Sequence, residues 1–311
     1  MSERYDVAVI GGGPAGLSAA LNLVRARRRV LLIDSNRPRN SATLLSHGYL
    51  TRDGISPLEL RRLGREEFLG YEGAEHRQTV ATDVRAVDGG FEIACEFRGQ
   101  ESSALAGVVL VTTGLAETLP DIGQLRAFYG THVHSCIECD GYGKRDEPLA
   151  LIGEHPDLTE RALLLSQWTD DLIVFTNGSD VVSSRDEAAL AARGIRVDRR
   201  RVASIAGDRH GMQGVVLEDG TLVPRTGGFV RPEWSAALDY VASTGAALDP
   251  DGLLVVDGHG RTSVPGLYAA GESTAPGPQQ LIVAAGDGAR VAAVINRDVI
   301  GGLEHLADAV Q

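Results

Sequence analysis

Val7-Ala8-Val9-Ile10 is a short unbroken apolar run, the pattern of a parallel strand buried on both faces. Three glycines follow, and then Leu17–Val24 takes up a helical reading. Arg29–Ile33 is a second strand and ends at Asp34. The same cadence returns later in the chain. Leu149–Ile152 reads as a strand, Gly153 as a turn, Asp157–Trp168 as a helix and Leu172–Phe175 as the next strand. Strands that alternate with helices in this way predict an α/β protein. Between the two units, Phe91–Phe97 alternates apolar and polar positions and reads as a half-buried strand, with Cys95 on its inward face as a small core residue. Near the end, Leu267–Ala270 is a short strand and Leu281–Asn296 a helix.

Composition narrows the function classes. The 311 residues suffice for one large or two medium domains. A net charge of −12 argues against nucleic acid as a partner, and the basic run Arg25–Arg29 reads as a solvated helix face. No segment has the apolar length of a membrane span. The N-terminus Met1-Ser2-Glu3-Arg4-Tyr5-Asp6 runs straight into a strand without a signal-peptide layout, so a cytoplasmic location is expected, where thiols are kept reduced.

Gly11-Gly12-Gly13-Pro14-Ala15-Gly16 links the first strand to the first helix. Each glycine of this G-x-G-x-x-G has a task. Gly11 permits the tight turn, Gly13 lets the backbone approach a pyrophosphate, and Gly16 lets helix and strand pack closely. The helix N-terminus offers N–H groups and a positive dipole end to phosphates. Asp34 stands where a carboxylate accepts hydrogen bonds from a ribose hydroxyl. In the C-terminal segment, Gly271 turns the chain at a strand end and Glu272 projects a carboxylate. Gln280 and Leu281 open a helix whose N-terminus can stabilise negative charge on a bound ring.

With these motifs in place, the chain resembles the low-molecular-weight thioredoxin reductase family of flavoproteins over essentially its whole length. The glycine loop is similar to that family's FAD-pyrophosphate loop, Thr112-Thr113-Gly114 to its threonine-glycine turn, and Gly271-Glu272 to its second FAD motif, which usually carries Asp. Gln280 matches the glutamine beside the flavin. Arg37-Pro38-Arg39-Asn40 and His47–Gly54 resemble a branch that contains dithiol oxidases of disulfide-bearing natural products. By that resemblance Arg39, Asn40 and His47 lie along the FAD. The resemblance implies two Rossmann-like (three-layer ββα) nucleotide-binding domains, the second inserted into the first: 1–118 with 248–311, and 119–247. It also implies a homodimer.

Ser135-Cys136-Ile137-Glu138-Cys139-Asp140 is a C-x-x-C. It reads either as half of a zinc site, with His132 and His134 nearby, or as a redox pair. The chain has no second C-x-x-C or spaced His pair, and a flavin site favours the redox reading. The resemblance assigns Cys139 to the sulfur facing the flavin, Cys136 to the interchange thiol and Asp140 to the acid–base group. Burial and negative charge should push the Asp140 carboxyl upward, and Glu138 adds negative charge between the cysteines.

The inserted domain carries Gly153-Glu154-His155-Pro156-Asp157-Leu158 where NADPH-dependent relatives carry a second glycine loop. His155 obstructs the pyrophosphate, Leu158 replaces a packing glycine, and Glu154 and Asp157 bring negative charge to the helix start. Thr176-Asn177-Gly178-Ser179-Asp180 offers no basic residue for a 2′-phosphate, although Arg185, Arg193 and Arg199–Arg201 are near in sequence. The sequence therefore predicts an FAD-dependent thiol–disulfide oxidoreductase without tight NADPH binding. A dithiol oxidase using oxygen, or a reductase fed by a donor such as ferredoxin, ranks ahead of an NADPH-driven thioredoxin reductase. A non-catalytic FAD-binding redox sensor is the alternative of another class. The expected partner is a dithiol or disulfide, either a thioredoxin-like protein or a small thiol.

Overall fold

The computed structural model describes residues 4–275 and 277–301. Met1–Glu3, part of the stretch read for a signal peptide, lie outside these residues, as do 302–311 of the expected FAD domain. In chain order the elements are β1 (Arg4–Ile10), α1 (Pro14–Arg25), β2 (Val30–Asp34), α2 (Pro57–Leu69), β3 (Ala74–Gln78), β4 (Val80–Val87), β5 (Gly90–Phe97), β6 (Gln100–Val111) and β7 (Leu115–Thr118). Then come α3 (Leu125–Phe128), β8 (Val133–His134), α4 (Ile137–Asp140), β9 (Leu149–Ile152), α5 (Leu158–Leu165), β10 (Leu172–Phe175), α6 (Ser184–Ala191) and β11 (Arg196–Asp198). The chain continues through β12 (Val202–Asp208), β13 (Gly211–Leu217), β14 (Leu222–Pro224), β15 (Gly227–Val230), β16 (Glu233–Ala236), β17 (Leu267–Ala269) and α7 (Leu281–Val299).

The chain divides into two compact units. The first holds the described residues of 1–39, 48–116 and 235–311, and the second holds 40–47 and 117–234. The chain crosses between them inside β7 and inside β16. These borders differ from those read in the sequence. The stretch 235–247 joins the first unit, because Leu238, Tyr240 and Val241 are buried in that unit's core. The segment 40–47 groups with the second unit.

In the first unit, β3, β2, β1, β6 and β17 form a parallel sheet in that order. The N-terminal half of β6 also joins β5 and β4 in an antiparallel meander. The apolar runs follow from burial on both faces. Val7 and Val9 of β1 pack with Leu17, Ala20, Leu23 and Val24 of α1 and with Val291 and Ile295 of α7. Ala8 and Ile10 point the other way, into a core shared with Val84, Phe91 and Ile93. Cys95 lies in that core, and burial pushes its thiol up to about 11. The run Arg25–Arg29 is not one helix face, since α1 ends at Arg25 and Arg27 turns left-handed at φ 63°. Its members serve packing instead: Arg28 Nε donates to Asn296 Oδ1 at 2.9 Å, and Arg29 stacks on Tyr5 at 4.7 Å.

The second unit repeats the plan. A parallel sheet runs β11, β10, β9, β15, β8, with an antiparallel sheet β12, β13, β14 alongside in sequence. Leu149 and Leu151 of β9 face α5 and α6 through Leu158, Leu165 and Leu190, while Ala150 and Ile152 face Ile205, Val215 and Leu217 of the antiparallel strands. Both units are thus Rossmann-like, with helices on one face of a parallel sheet and antiparallel strands on the other. Among the described residues no helix is long and apolar enough to cross a membrane.

Candidate active site

The loop after β1 is built for close backbone contact. Gly11 sits at φ 112°, and a Cβ there would lie 2.4 Å from the Thr112 carbonyl oxygen. At Gly16 a Cβ would lie 1.8 Å from the Gly11 carbonyl, so that position admits glycine only. Gly13 is the opposite case, with open space where its side chain would be. Pro14 and Ala15 start α1, and its first turn carries no acidic residue. An anion therefore meets free room, a helix N-terminus and no competing carboxylate. These features fit a dinucleotide pyrophosphate.

Asp34, at the end of β2, is 7% exposed and lies beside Gly12. Its Oδ2 accepts from Arg61 Nη2 at 2.5 Å, and Arg61 Nε donates to the Gly12 carbonyl at 3.2 Å. Arg61 was not anticipated from the sequence. It holds the carboxylate and the glycine loop in one network, whose buried charge is paired. Arg39 donates to both oxygens of Glu272 at 2.7 Å and to Gln279 Oε1 at 3.2 Å. Two residues 233 apart in sequence, each expected along the FAD, thus meet. Thr113 Oγ1 donates to the Ala237 carbonyl at 3.3 Å and sits 3.2 Å from the Tyr240 hydroxyl. The Gly114 N–H donates to Ser273 Oγ at 2.9 Å, and the Gly271 N–H to Asp287 Oδ2 at 2.7 Å. Gln280 is the residue just before α7 and Leu281 is its first residue. Asn40 and His47 lie in the segment that belongs to the second unit.

The cysteines lie in the second unit. Cys136 and Cys139 are joined in a disulfide across the start of α4, and the Cys139 N–H points at Cys136 Sγ at 3.2 Å. A closed disulfide offers no thiolate to a metal, and among the described residues no three metal-ligating side chains converge. Asp140 ends α4. Burial pushes its carboxyl up to about 6, against the charges of His47 and Lys144, which pull it down. His134 Nδ1 lies 3.3 Å from Asp140 Oδ1. Burial, aided by Lys144 and His132, holds that imidazole down at about 4. Beneath the turn, Arg161 Nη2 donates to the Ser135 carbonyl at 2.6 Å.

The loop after β9 is differently furnished. Asp157 precedes α5, and its Oδ2 accepts from Arg231 Nε at 2.9 Å. Its other oxygen lies 3.0 Å from His155 Nδ1. Glu154 accepts from Asn177 at 2.5 Å, and Leu158 is fully buried. Arg199 is paired with Glu187 at 2.7 Å, and Arg200 with Asp198 at 2.6 Å and Asp219 at 2.9 Å.

Residues 5–288 match the pyridine nucleotide-disulphide oxidoreductase family. The chain belongs to that family. It is similar to the crystal structure of a thioredoxin reductase TrxB described for Bacillus anthracis, with 36% identity, a TM-score of 0.88, and coverage of 95% of this chain and 98% of that one. The thioredoxin reductase of Treponema pallidum is 28% identical over 310 residues, covering 94% of this chain and 96% of that protein. A probable thioredoxin reductase of Arthroderma benhamiae is 34% identical over 181 residues, 57% of this chain and 45% of the longer relative. The chain is thus a thioredoxin reductase-like, FAD-dependent disulfide oxidoreductase.

Proposed function

We propose that electrons pass between a substrate dithiol, the Cys136–Cys139 pair and FAD, and that NADPH is not the tight-binding partner of this chain. FAD supplies the two-electron carrier. Gly11, Gly13, Pro14, Ala15 and Gly16 receive its pyrophosphate, and Asp34, fixed by Arg61, receives a ribose. Arg39, Thr113, Gly114, Gly271, Glu272, Gln280 and Leu281 of the same unit complete the cradle. Cys136 exchanges with substrate, Cys139 serves the flavin side, and Asp140 moves the proton between thiol and thiolate.

The observation that carries the NADPH part is the start of α5, where the Asp157 carboxylate already occupies Arg231 at 2.9 Å. A dinucleotide phosphate arriving there meets a carboxylate, and the nearby guanidinium is engaged. The paired state of Arg199 and Arg200 supports the same reading. With that route weakened, a dithiol oxidase passing electrons to oxygen, or a reductase using a donor such as ferredoxin, is favoured. The substrate is a thioredoxin-like protein or a small dithiol, and the protein acts in the cytoplasm as a homodimer. A second reading, an NADPH-dependent thioredoxin reductase, is favoured by the thioredoxin reductases among the relatives.

Anaerobic addition of dithiothreitol to the yellow holoprotein tests the cysteine assignment. The wild type should bleach, and oxygen should restore the colour over repeated cycles. Cys139→Ser should not bleach. Equal bleaching of Cys139→Ser and wild type would remove the assignment.

A further inference from the structure

His134 stands on β8, two residues before the disulfide, and its side chain has no task in the exchange as described above. The residue is 7% exposed, and its ring lies against Phe229, centroids 6.0 Å apart. Its Nε2 is 3.1 Å from the carbonyl oxygen of Thr131. A carbonyl only accepts, so Nε2 carries the hydrogen of this contact. A neutral imidazole has one N–H, so Nδ1 is then a bare lone pair. That nitrogen lies 3.3 Å from Asp140 Oδ1.

Two acceptors cannot face each other comfortably. One proton between them resolves the conflict, and it can sit on either partner. On the imidazole it would create a buried cation near Lys144 and His132, both of which disfavour it. On the carboxyl it creates a neutral O–H within reach of Nδ1. Of the groups facing Asp140, His47 and Lys144 favour its ionised form, and burial outweighs them. We propose that His134 is a positioning residue that holds the Asp140 carboxyl in its protonated form, with Nδ1 accepting the acid O–H and Thr131 fixing the tautomer. The proposal rests on the reading of Asp140 as the acid–base group. In that reading the protonated Asp140 gives its proton to the thiolate that leaves and recovers one from the incoming thiol, so no proton is gained or lost. His134 keeps the recovered proton on one oxygen, in one direction.

The test uses the oxidised holoprotein with 13C-labelled Asp carboxyls, the Asp140 resonance being identified by its absence in Asp140→Asn. The wild-type carboxyl should titrate with a midpoint of about 6. In His134→Leu, which has no acceptor, the midpoint should fall by about one pH unit, the size of a lost hydrogen bond to the neutral acid. In His134→Asn, whose Oδ1 can take the place of Nδ1, it should return toward the wild-type value. The pH dependence of anaerobic flavin bleaching by dithiothreitol should shift in parallel. An unchanged midpoint in His134→Leu would overturn the proposal. If that variant does not fold, 15N spectra of the wild type at pH 5, where the carboxyl holds its proton and the imidazole is neutral, decide: a protonated Nε2 with a bare Nδ1 supports it, and a protonated Nδ1 overturns it. Asp140→Asn bleaching as fast as wild type would refute the acid–base reading itself, an outcome separate from the titration of the pair.

Discussion

The chain contains two loops of the same topological kind, 11–16 and 153–158. Each follows a parallel strand buried on both faces, and each leads into a helix packed on one face of its sheet. The first leaves space at Gly13 and carries no acidic side chain in the first turn of its helix. The second places Asp157 just before its helix and Glu160 in the first turn, and it engages Arg231 internally. The comparison separates fold from ligand. A strand–turn–helix unit survives the loss of its second and third glycines, because packing of the sheet needs only the apolar run and the helix stripe. Phosphate binding needs open backbone and uncancelled positive potential, and we propose that the second loop supplies too little of either.

Substitution of the packing glycines should break the symmetry most sharply. Gly16→Ala puts a Cβ 1.8 Å from backbone that cannot yield, so the variant should lose FAD outright and cost at least about 3 kcal/mol of stability. In Gly153→Ala the Cβ meets the Cβ of Arg231 at 2.8 Å and the Cδ1 of Leu158 at 3.0 Å, side-chain atoms rather than backbone, so the cost should be smaller, about 2 kcal/mol, with the colour kept. Flavin absorbance after purification and denaturation midpoints read both. Next in size is Arg61→Met. It strands the Asp34 carboxylate, 7% exposed, and should cost about 3 kcal/mol and weaken FAD retention. A variant as stable and as yellow as wild type would show that the Arg61–Asp34 pair does not support the first loop.

The effect of pH is smaller than those of Gly16 and Arg61. Asp140 is raised to about 6 in the folded chain from an ordinary 3.8, so the native state holds the extra proton and stability falls as pH rises through that window. His134 is lowered to about 4 from 6.5, so the unfolded state holds the proton and stability rises with pH between those values. The two slopes oppose each other. Asp140→Asn removes only the first. Its stability relative to wild type should therefore increase by about 2 kcal/mol between pH 4 and pH 6. Urea denaturation of both proteins across that range measures it, and a difference independent of pH would contradict the burial of Asp140.

Much of this was legible in the sequence. Strands β1, β2, β9 and β10 announced themselves as apolar runs, since residues on both faces are buried. The glycine loop and the cysteine pair are local, with all their parts within a few residues. What stayed hidden depends on distant partners. Arg61 lies 27 residues from Asp34 on a helix that also carries Arg62, and only the structure shows Arg61 turned inward while Arg62 pairs with Glu59 in solvent. Asp157 looked merely acidic until Arg231, 74 residues away, was seen beside it. His134 read as a possible zinc ligand with His132, whereas its near neighbour is the Asp140 carboxyl. The inclusion of 235–247 in the first unit rests on Tyr240 and Leu238, whose partners lie far away in sequence.

The contrast between the two loops is tested most directly by anaerobic titration of the holoprotein with NADPH, following flavin absorbance. The flavin should stay oxidised as NADPH is added and bleach when dithiothreitol follows. Stoichiometric bleaching by micromolar NADPH, before any dithiol is present, would contradict it.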